Sequence, residues 1–526
     1  MPEYLRPGVY VDEGSPGSRS IVAVSTGTAG MVGETERGPV HPTLVTSWAE
    51  YQLIFGEYVD HPPAGALHAS LPYAVRGFFE NGGRRLFVAR AVGAGSVAAS
   101  VSIGGCLVRA ASEGAWGNNV VVSVGFATLA RRGTPTAEWL RIRAAYYRNG
   151  VPLDLDHPAQ DARLEEPGRV APPVTEDFDN LSPVAGDSND AVMSVEAASR
   201  LIRVVHCPGM SSAPEGRALP LVGGVTVPAV FGDYAGDSND DRDMLRGLAA
   251  LGAIEEVSLL AAPDEGSVPG LRDRMLDTCE RTKDRFVVLS ADGVSDIAAL
   301  RPPRDTSYAA FYYPRVSVPA PHTSPGRRLV APVGHLAGMY ARVDVEKGVH
   351  KAPANEVVLG LVASDTGGAW GPLETVVTKG DQDVLNPRGV NVIRDFRAEG
   401  RDVRAWGART MSSDPEWKYI SVRRLCIFIE QSIARSLRWV AFEANDEKTW
   451  LAVRTSVSDF LWALWREGAL IGGTEKDALF VKCDRTSMTQ QDLDEGRLVC
   501  TIGVAPLRPA EFVILRISWQ SAAPAP

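Results

Sequence analysis

Nowhere in the 526 residues does an apolar run approach the roughly 18 to 20 residues of a bilayer-spanning helix, so membrane insertion is not expected. The start, MPEYLRPGVYVDE, carries an acid and two prolines where a signal peptide needs an apolar stretch; synthesis and assembly in the cytoplasm are expected. Cysteine is sparse: Cys106, Cys207, Cys279, Cys426, Cys483 and Cys500 stand far apart with no CxxC pair, which excludes zinc-ribbon and thioredoxin-type spacing. Reduced, mostly buried thiols are expected. Lysine is scarcer than arginine, 8 of the 54 basic residues, and none precedes Lys283. No GxxxxGK[ST] phosphate loop, GxSxG elbow or HExxH helix is present.

What is present is ordinary globular material, 45% hydrophobic and 22% charged, over a length that at about 100 to 200 residues per domain argues for several domains. The net charge of -10 is concentrated: residues 151–250 hold 17 acids against 7 arginines. The rest of the chain is neutral, and without a basic field, binding to nucleic acid is disfavoured.

Along the chain, a short alternating strand at Val9 to Val11 lies between proline and glycine-serine breakers and cannot be stable alone. A strand is expected at Ile21 to Val24. Ser47 and Glu50 have capping-box spacing before a helix Trp48 to Phe55, which Gly56 stops. A helix Leu67 to Glu80 and a strand Arg85 to Val92 follow. From Gly93 to Thr226 the texture becomes β-rich and loop-rich; from Val227 to Asn386 strands and helices alternate, which predicts a mainly parallel, covered sheet.

The last third holds two amphipathic helices, Val422 to Leu437 (Leu425, Phe428, Ile429, Ser432, Ile433 and Leu437 on one face) and Asp446 to Glu467 (Trp450, Val453, Val457, Phe460, Leu464, Trp465). Strands Ala478 to Cys483, Leu498 to Val504 and Glu511 to Trp519 follow. The divisions are therefore 1–20, an arm; 21–92, the N-terminal part of the core; 93–226, an inserted β-rich domain; 227–386, α/β; 387–505, a C-terminal α+β domain; and 506–526, a linking strand and tail.

Several features invite chemistry. Gly93-Ala-Gly95-Ser-Val-Ala98 follows a strand as a dinucleotide fingerprint does, but no clear helix follows, and a hinge is the simpler reading. His322, His335 and His350 fall within one expected domain along with Asp344 and several serines, which leaves a hydrolase triad open; packing or capping is the plainer role for His335. The pentapeptide GDSND occurs at Gly186 to Asp190 and Gly236 to Asp240, where clustered oxygens suit calcium or helix capping. Arg424, Gln431, Arg435 and Arg438, spaced by 7, 4 and 3, fall within about 60 degrees of one another on a helix, a stripe that suits a partner or plain solvent.

The ordered segments resemble the contractile tail sheath proteins of phages and phage-like injection systems. RPGVYVDE, GETERGP and WGN (Trp116 to Asn118) carry this at the start, and FYYPRVSV with GHLAGMYARVDVEKGVHKAPAN in the middle. LNPRGVNVIRDF, AWGARTMSSDPEWKYISVRRL, FEANDEKTW and FVKCDRTSMTQQDLDEGRLVCTIGVAPLRPAEFVILRI carry it toward the end. The resemblance implies a subunit of a six-fold helical sleeve around an inner tube, which shortens to drive the tube through an envelope, with neither cofactor nor catalytic residue. It implies a subtilisin-like fold for the α/β domain and exchanged terminal strands that carry Val9, Tyr10 and Val11 at one end and Val513, Leu515 and Ile517 at the other. It also implies that Arg424, Gln431, Arg435 and Arg438 face the tube, and that the partners are other copies, the tube, the baseplate and terminal cap proteins. A minor or baseplate-proximal sheath paralogue, or an α/β hydrolase-like enzyme, is the alternative.

Overall fold

Strands without a polar face belong inside a covered sheet, and FVVLS (Phe286–Ser290) and AAFYY (Ala309–Tyr313) are buried along their whole lengths. They sit in a nine-stranded sheet with the order Glu356–Val357, Val403–Trp406, Val390–Asp395, Ala309–Tyr313, Phe286–Ser290, Leu259–Ala261, Thr28–Gly33, Arg85–Arg90, Thr43–Val45. The strands from Val390–Asp395 to Arg85–Arg90 pair in parallel, and antiparallel strands close both edges. This computed structural model describes residues 20–58, 69–128, 139–147, 174–207, 218–236, 245–291, 293, 296–320, 326–362 and 371–511.

The chain forms two units. The larger spans Gly27–Arg342 and Ala354–Ser413; the smaller gathers 20–26, Val343–Pro353 and 414–511 among the described residues. This corrects two expected divisions. Val390–Asp395 and Val403–Trp406 hydrogen-bond into the large sheet, so the C-terminal unit begins at Asp414 rather than 387. Residues 21–26 belong to the smaller unit, and the strand expected at Ile21 to Val24 is an extended segment outside any ladder among the described residues; the strand is Thr28–Gly33.

In the larger unit, helices Gly247–Ala253, Leu271–Thr282 and Lys379–Leu385 bring Leu248, Leu251, Met275, Leu276 and Leu385 onto a cluster with Val32, Val287, Leu289 and Phe311. Tyr312, which points the other way by strand alternation, shares a 2.7 Å hydroxyl hydrogen bond with Tyr340 of helix Val333–Lys347. There the backbones nearly touch. A Cβ on Gly334 or Gly338 would lie 2.2 Å from the carbonyl oxygen of Ala74 or Phe78 in helix Leu71–Glu80, so only glycine lets the two helices approach.

The helix Trp48–Phe55 forms as its spacing predicts. The Ser47 side chain accepts from the Glu50 amide, and Gly56, at φ +85°, closes it by donating to Gln52. Glu50 reaches one residue further back than a capping box does, to the amide and hydroxyl of Thr46.

Between residues 97 and 225 the described strands pair with one another. Ser100–Ile103, Cys106–Ala110 and Ile202–His206 form one sheet; Leu219–Pro220, Val120–Phe126, Leu140–Tyr146 and Val174–Leu181 form another, and both contribute to one core. The two connections run side by side, with Val97 and Val225 exchanging backbone bonds of 2.9 Å. Gly93 sits where a Cβ would meet the carbonyls of Val227 and Pro228 at 2.4 Å, and Gly95 takes φ +92°, so the glycine pair serves a crossing and a turn of the chain. Cys106 and Cys207 are joined as a disulfide, against the expectation of reduced thiols, because the ladder places them opposite each other.

Candidate assembly surfaces

The smaller unit is built on helices Ile420–Ser436 and Glu447–Arg466. Asp446 caps the second by accepting from Thr449 at 2.9 Å. Their apolar faces meet as read from the sequence: Leu425, Ile429, Trp450, Val453, Val457 and Leu464 are buried together, with Leu461 added. The strands Leu479–Lys482 and Thr501–Val504 form an antiparallel ribbon on this core, two-stranded among the described residues, and Phe480 on it is 55% exposed.

Residues 20–26 run extended beside the first helix. The Val22 amide donates to Ser436 Oγ at 2.9 Å and the Val24 amide to Ser432 Oγ at 3.2 Å. Two serines four residues apart thus supply acceptors that a ladder otherwise would, a role that the sequence showed only as a polar break in the apolar face. At the other end, Glu511 receives an ion pair from Lys418 at 3.2 Å and a hydrogen bond from the Tyr419 hydroxyl at 3.3 Å.

The stripe on the first helix is not one surface. Arg424 is buried: its guanidinium donates to both carboxylate oxygens of Asp344, at 2.8 and 2.5 Å, and to the Thr26 carbonyl at 3.0 Å. It is therefore withdrawn as a tube-facing residue. Gln431 and Arg435 are half-buried, and Arg438 is exposed but lies past the helix end, in the 3-10 turn Arg438–Val440. Val9, Tyr10, Val11, Val513, Leu515 and Ile517 lie outside the described residues.

The features that invited catalysis have structural work. His335 is fully buried above Gly77, burial pushes its pKa down to about 4, and its Nδ1 has no hydrogen-bond partner among the described residues. A triad histidine needs an orienting acceptor at that atom. His322 and the second GDSND from Asp237 onward lie outside the described residues. In the first copy, Asp190 caps helix Ala191–Ala198 through the Val192 amide at 2.8 Å. Among the described residues no helix is long and apolar enough to cross a membrane.

The fold defines a mixed α/β multidomain protein. Models of the phage tail sheath protein central domain and the phage tail sheath C-terminal domain match residues 238–411 and 412–520. A prophage major tail sheath protein of Pseudomonas aeruginosa is 25% identical over 328 residues, 61% of this chain and 78% of that protein. The tail sheath protein of Escherichia phage P2 is 25% identical over 293 residues, 53% of this chain and 68% of that protein. The fold matches the helical sheath of the anti-feeding prophage in its contracted state with TM-score 0.57 at 23% identity, covering 98% of this chain and 99% of that one. The chain belongs to the contractile tail sheath family, and is a structural subunit rather than an enzyme.

Proposed function

We propose that this chain polymerises as a six-fold helical sleeve around an inner tube and contracts to drive the tube through a target envelope. The observation that carries this reading is the ribbon Leu479–Lys482 with Thr501–Val504. A two-stranded ribbon is marginal alone and presents edges that another chain's strand fills. Val9, Tyr10 and Val11 supply such a strand from one neighbour and Val513, Leu515 and Ile517 from another, with the GSPGSRS segment as the pivot. Gln431, Arg435 and Arg438 face the tube, and baseplate and terminal cap proteins bound the sleeve, which assembles in the cytoplasm. The large parallel sheet is the subtilisin-like layer, a likeness of fold that carries no protease.

Contraction needs two lattices that bury different contacts, with assembly on tube and baseplate selecting the one that buries less. The stroke then needs no nucleotide. Deleting Pro2 to Ser20 tests the strand exchange: circular dichroism and sedimentation are expected to show folded, small species and no sleeve. Long sheaths of normal appearance from the truncated chain refute it.

A further inference from the structure

Two cysteine pairs occupy equivalent places in two different sheets. Leu107 pairs with His206 across one ladder, so Cys106 and Cys207 face each other at its end, and they are bonded. Lys482 pairs with Thr501 across the ribbon of the smaller unit, so the next residues, Cys483 and Cys500, face each other in the same way. Both belong to that unit's apolar cluster; Cys483 is buried and Cys500 is half-buried at its border.

We propose that Cys483 and Cys500 form a redox site, a dithiol that low-molecular-weight disulfides oxidise to an intramolecular cystine. The neighbouring thiols perturb each other, Cys483 upward and Cys500 downward. The neighbouring Cys483 thiol holds the Cys500 thiol below its ordinary range and marks Cys500, the more exposed of the two residues, as the one that attacks first. The Cys500 thiolate attacks one sulfur of the small disulfide, forming a mixed disulfide and expelling one thiolate. Cys483 then loses its proton to solvent and attacks the Cys500 sulfur, closing the protein disulfide and expelling the second thiolate. Two protein thiols are oxidised and one small disulfide is reduced to two thiols. The link staples residues 484–499, including the capped turns Arg485–Ser487 and Gln490–Asp494, to the ribbon.

The test incubates the full chain with oxidised glutathione at about pH 8, near the ordinary thiol range. It then alkylates, digests with trypsin without reduction, and reads masses. The expected product joins Cys483–Arg485 to Leu498–Arg516, since Arg508 precedes proline and is not cut. Two of the four free thiols are lost to alkylation, while Cys279, a buried cysteine of helix Leu271–Thr282, stays unoxidised. With Cys483→Ser, the Leu498–Arg516 peptide is expected to gain one glutathione and no link. The proposal fails if the wild-type chain stops at that mixed disulfide, or if Cys483 and Cys500 both remain alkylatable. The wild-type measurement decides even if the variant does not fold.

Discussion

The larger unit's sheet has nine strands, and its inner strands are hydrogen-bonded on both sides; the smaller unit's ribbon has two among the described residues. The first closes its backbone within the chain and covers its faces with helices of its own. The second rests on two helices and holds its adjoining chain by side chains: serine hydroxyls for residues 22–24, Lys418 and Tyr419 for Glu511, and a buried arginine for Thr26. One region ties its strands together by backbone ladders, and the other adds side-chain contacts to its apolar cluster to hold the adjoining segments.

The comparison predicts its largest effect at Arg424. Arg424→Ala leaves the Asp344 carboxylate buried and unpaired, which costs about 3 to 5 kcal/mol. Hydrogen exchange is expected to accelerate through helix Ile420–Ser436 while the large sheet keeps its protection. The double change Arg424→Met with Asp344→Leu is expected to restore most of the loss, since apolar replacement of a buried pair is often neutral. Equal acceleration in both units would show that Arg424 does not act on the smaller unit alone.

The next effect falls in the larger unit. Gly338→Val forces side-chain atoms against the Phe78 carbonyl, and overpacking of this kind costs about 1 to 3 kcal/mol. The loss is expected in urea unfolding followed through the Leu71–Glu80 region, with exchange in the smaller unit's ribbon unchanged.

A subtler effect is pH dependence. Burial pushes the Asp264 carboxyl up to about 8, with the Tyr234 hydroxyl bonded to it. The folded larger unit therefore holds a proton that the unfolded chain has released above its ordinary carboxylate range. Stability from this group is full at acid pH and declines as pH rises toward about 8. His335, pushed down to about 4, has the opposite sign: its contribution is present above the ordinary histidine range and is lost as pH falls toward about 4. These two slopes oppose between about 4 and 6.5, and of the two only that of Asp264 continues toward about 8. Asp264→Asn is expected to flatten the decline there in urea midpoints; an unchanged profile would show that Asp264 does not set it.

The smallest effect on the folded subunit is expected at the half-buried Arg435 and the exposed Arg438, since charges near the surface contribute about 0 to 1 kcal/mol each. Reversing both to glutamate is expected to leave the subunit folded yet prevent extended sheath from forming on tube, with tube-free chain still polymerising in the contracted form. Extended, tube-filled particles at the parent's yield would remove both residues from the tube-facing surface.

Periodic patterns were legible because they follow from local geometry. The helices at 48–55, 420–436 and 447–466 and the strands at 85–90, 479–482 and 501–504 lie within a few residues of where spacing put them. Thr28–Gly33 departs from the expected Ile21 to Val24 because its glycines carry no apolar signal; a Cβ on Gly33 would lie only 2.8 Å from the Leu71 Cβ. The family resemblance was legible over the C-terminal third because long ordered segments specify more than any short motif.

By itself the sequence determined which stretches are helical, which face of each is apolar, where the acidity lies and which family the chain joins. Tertiary structure alone decided what covers each face. Arg424 and Arg435 share one side of a helix, yet one meets Asp344 in the interior and the other is half open, because periodicity fixes direction around an axis and not what lies beyond it. The same holds for the cysteines: residues 101 positions apart became neighbours only when strand register set them opposite each other. Strand pairing is a long-range choice, made by the burial of whole faces rather than by any residue's local preference.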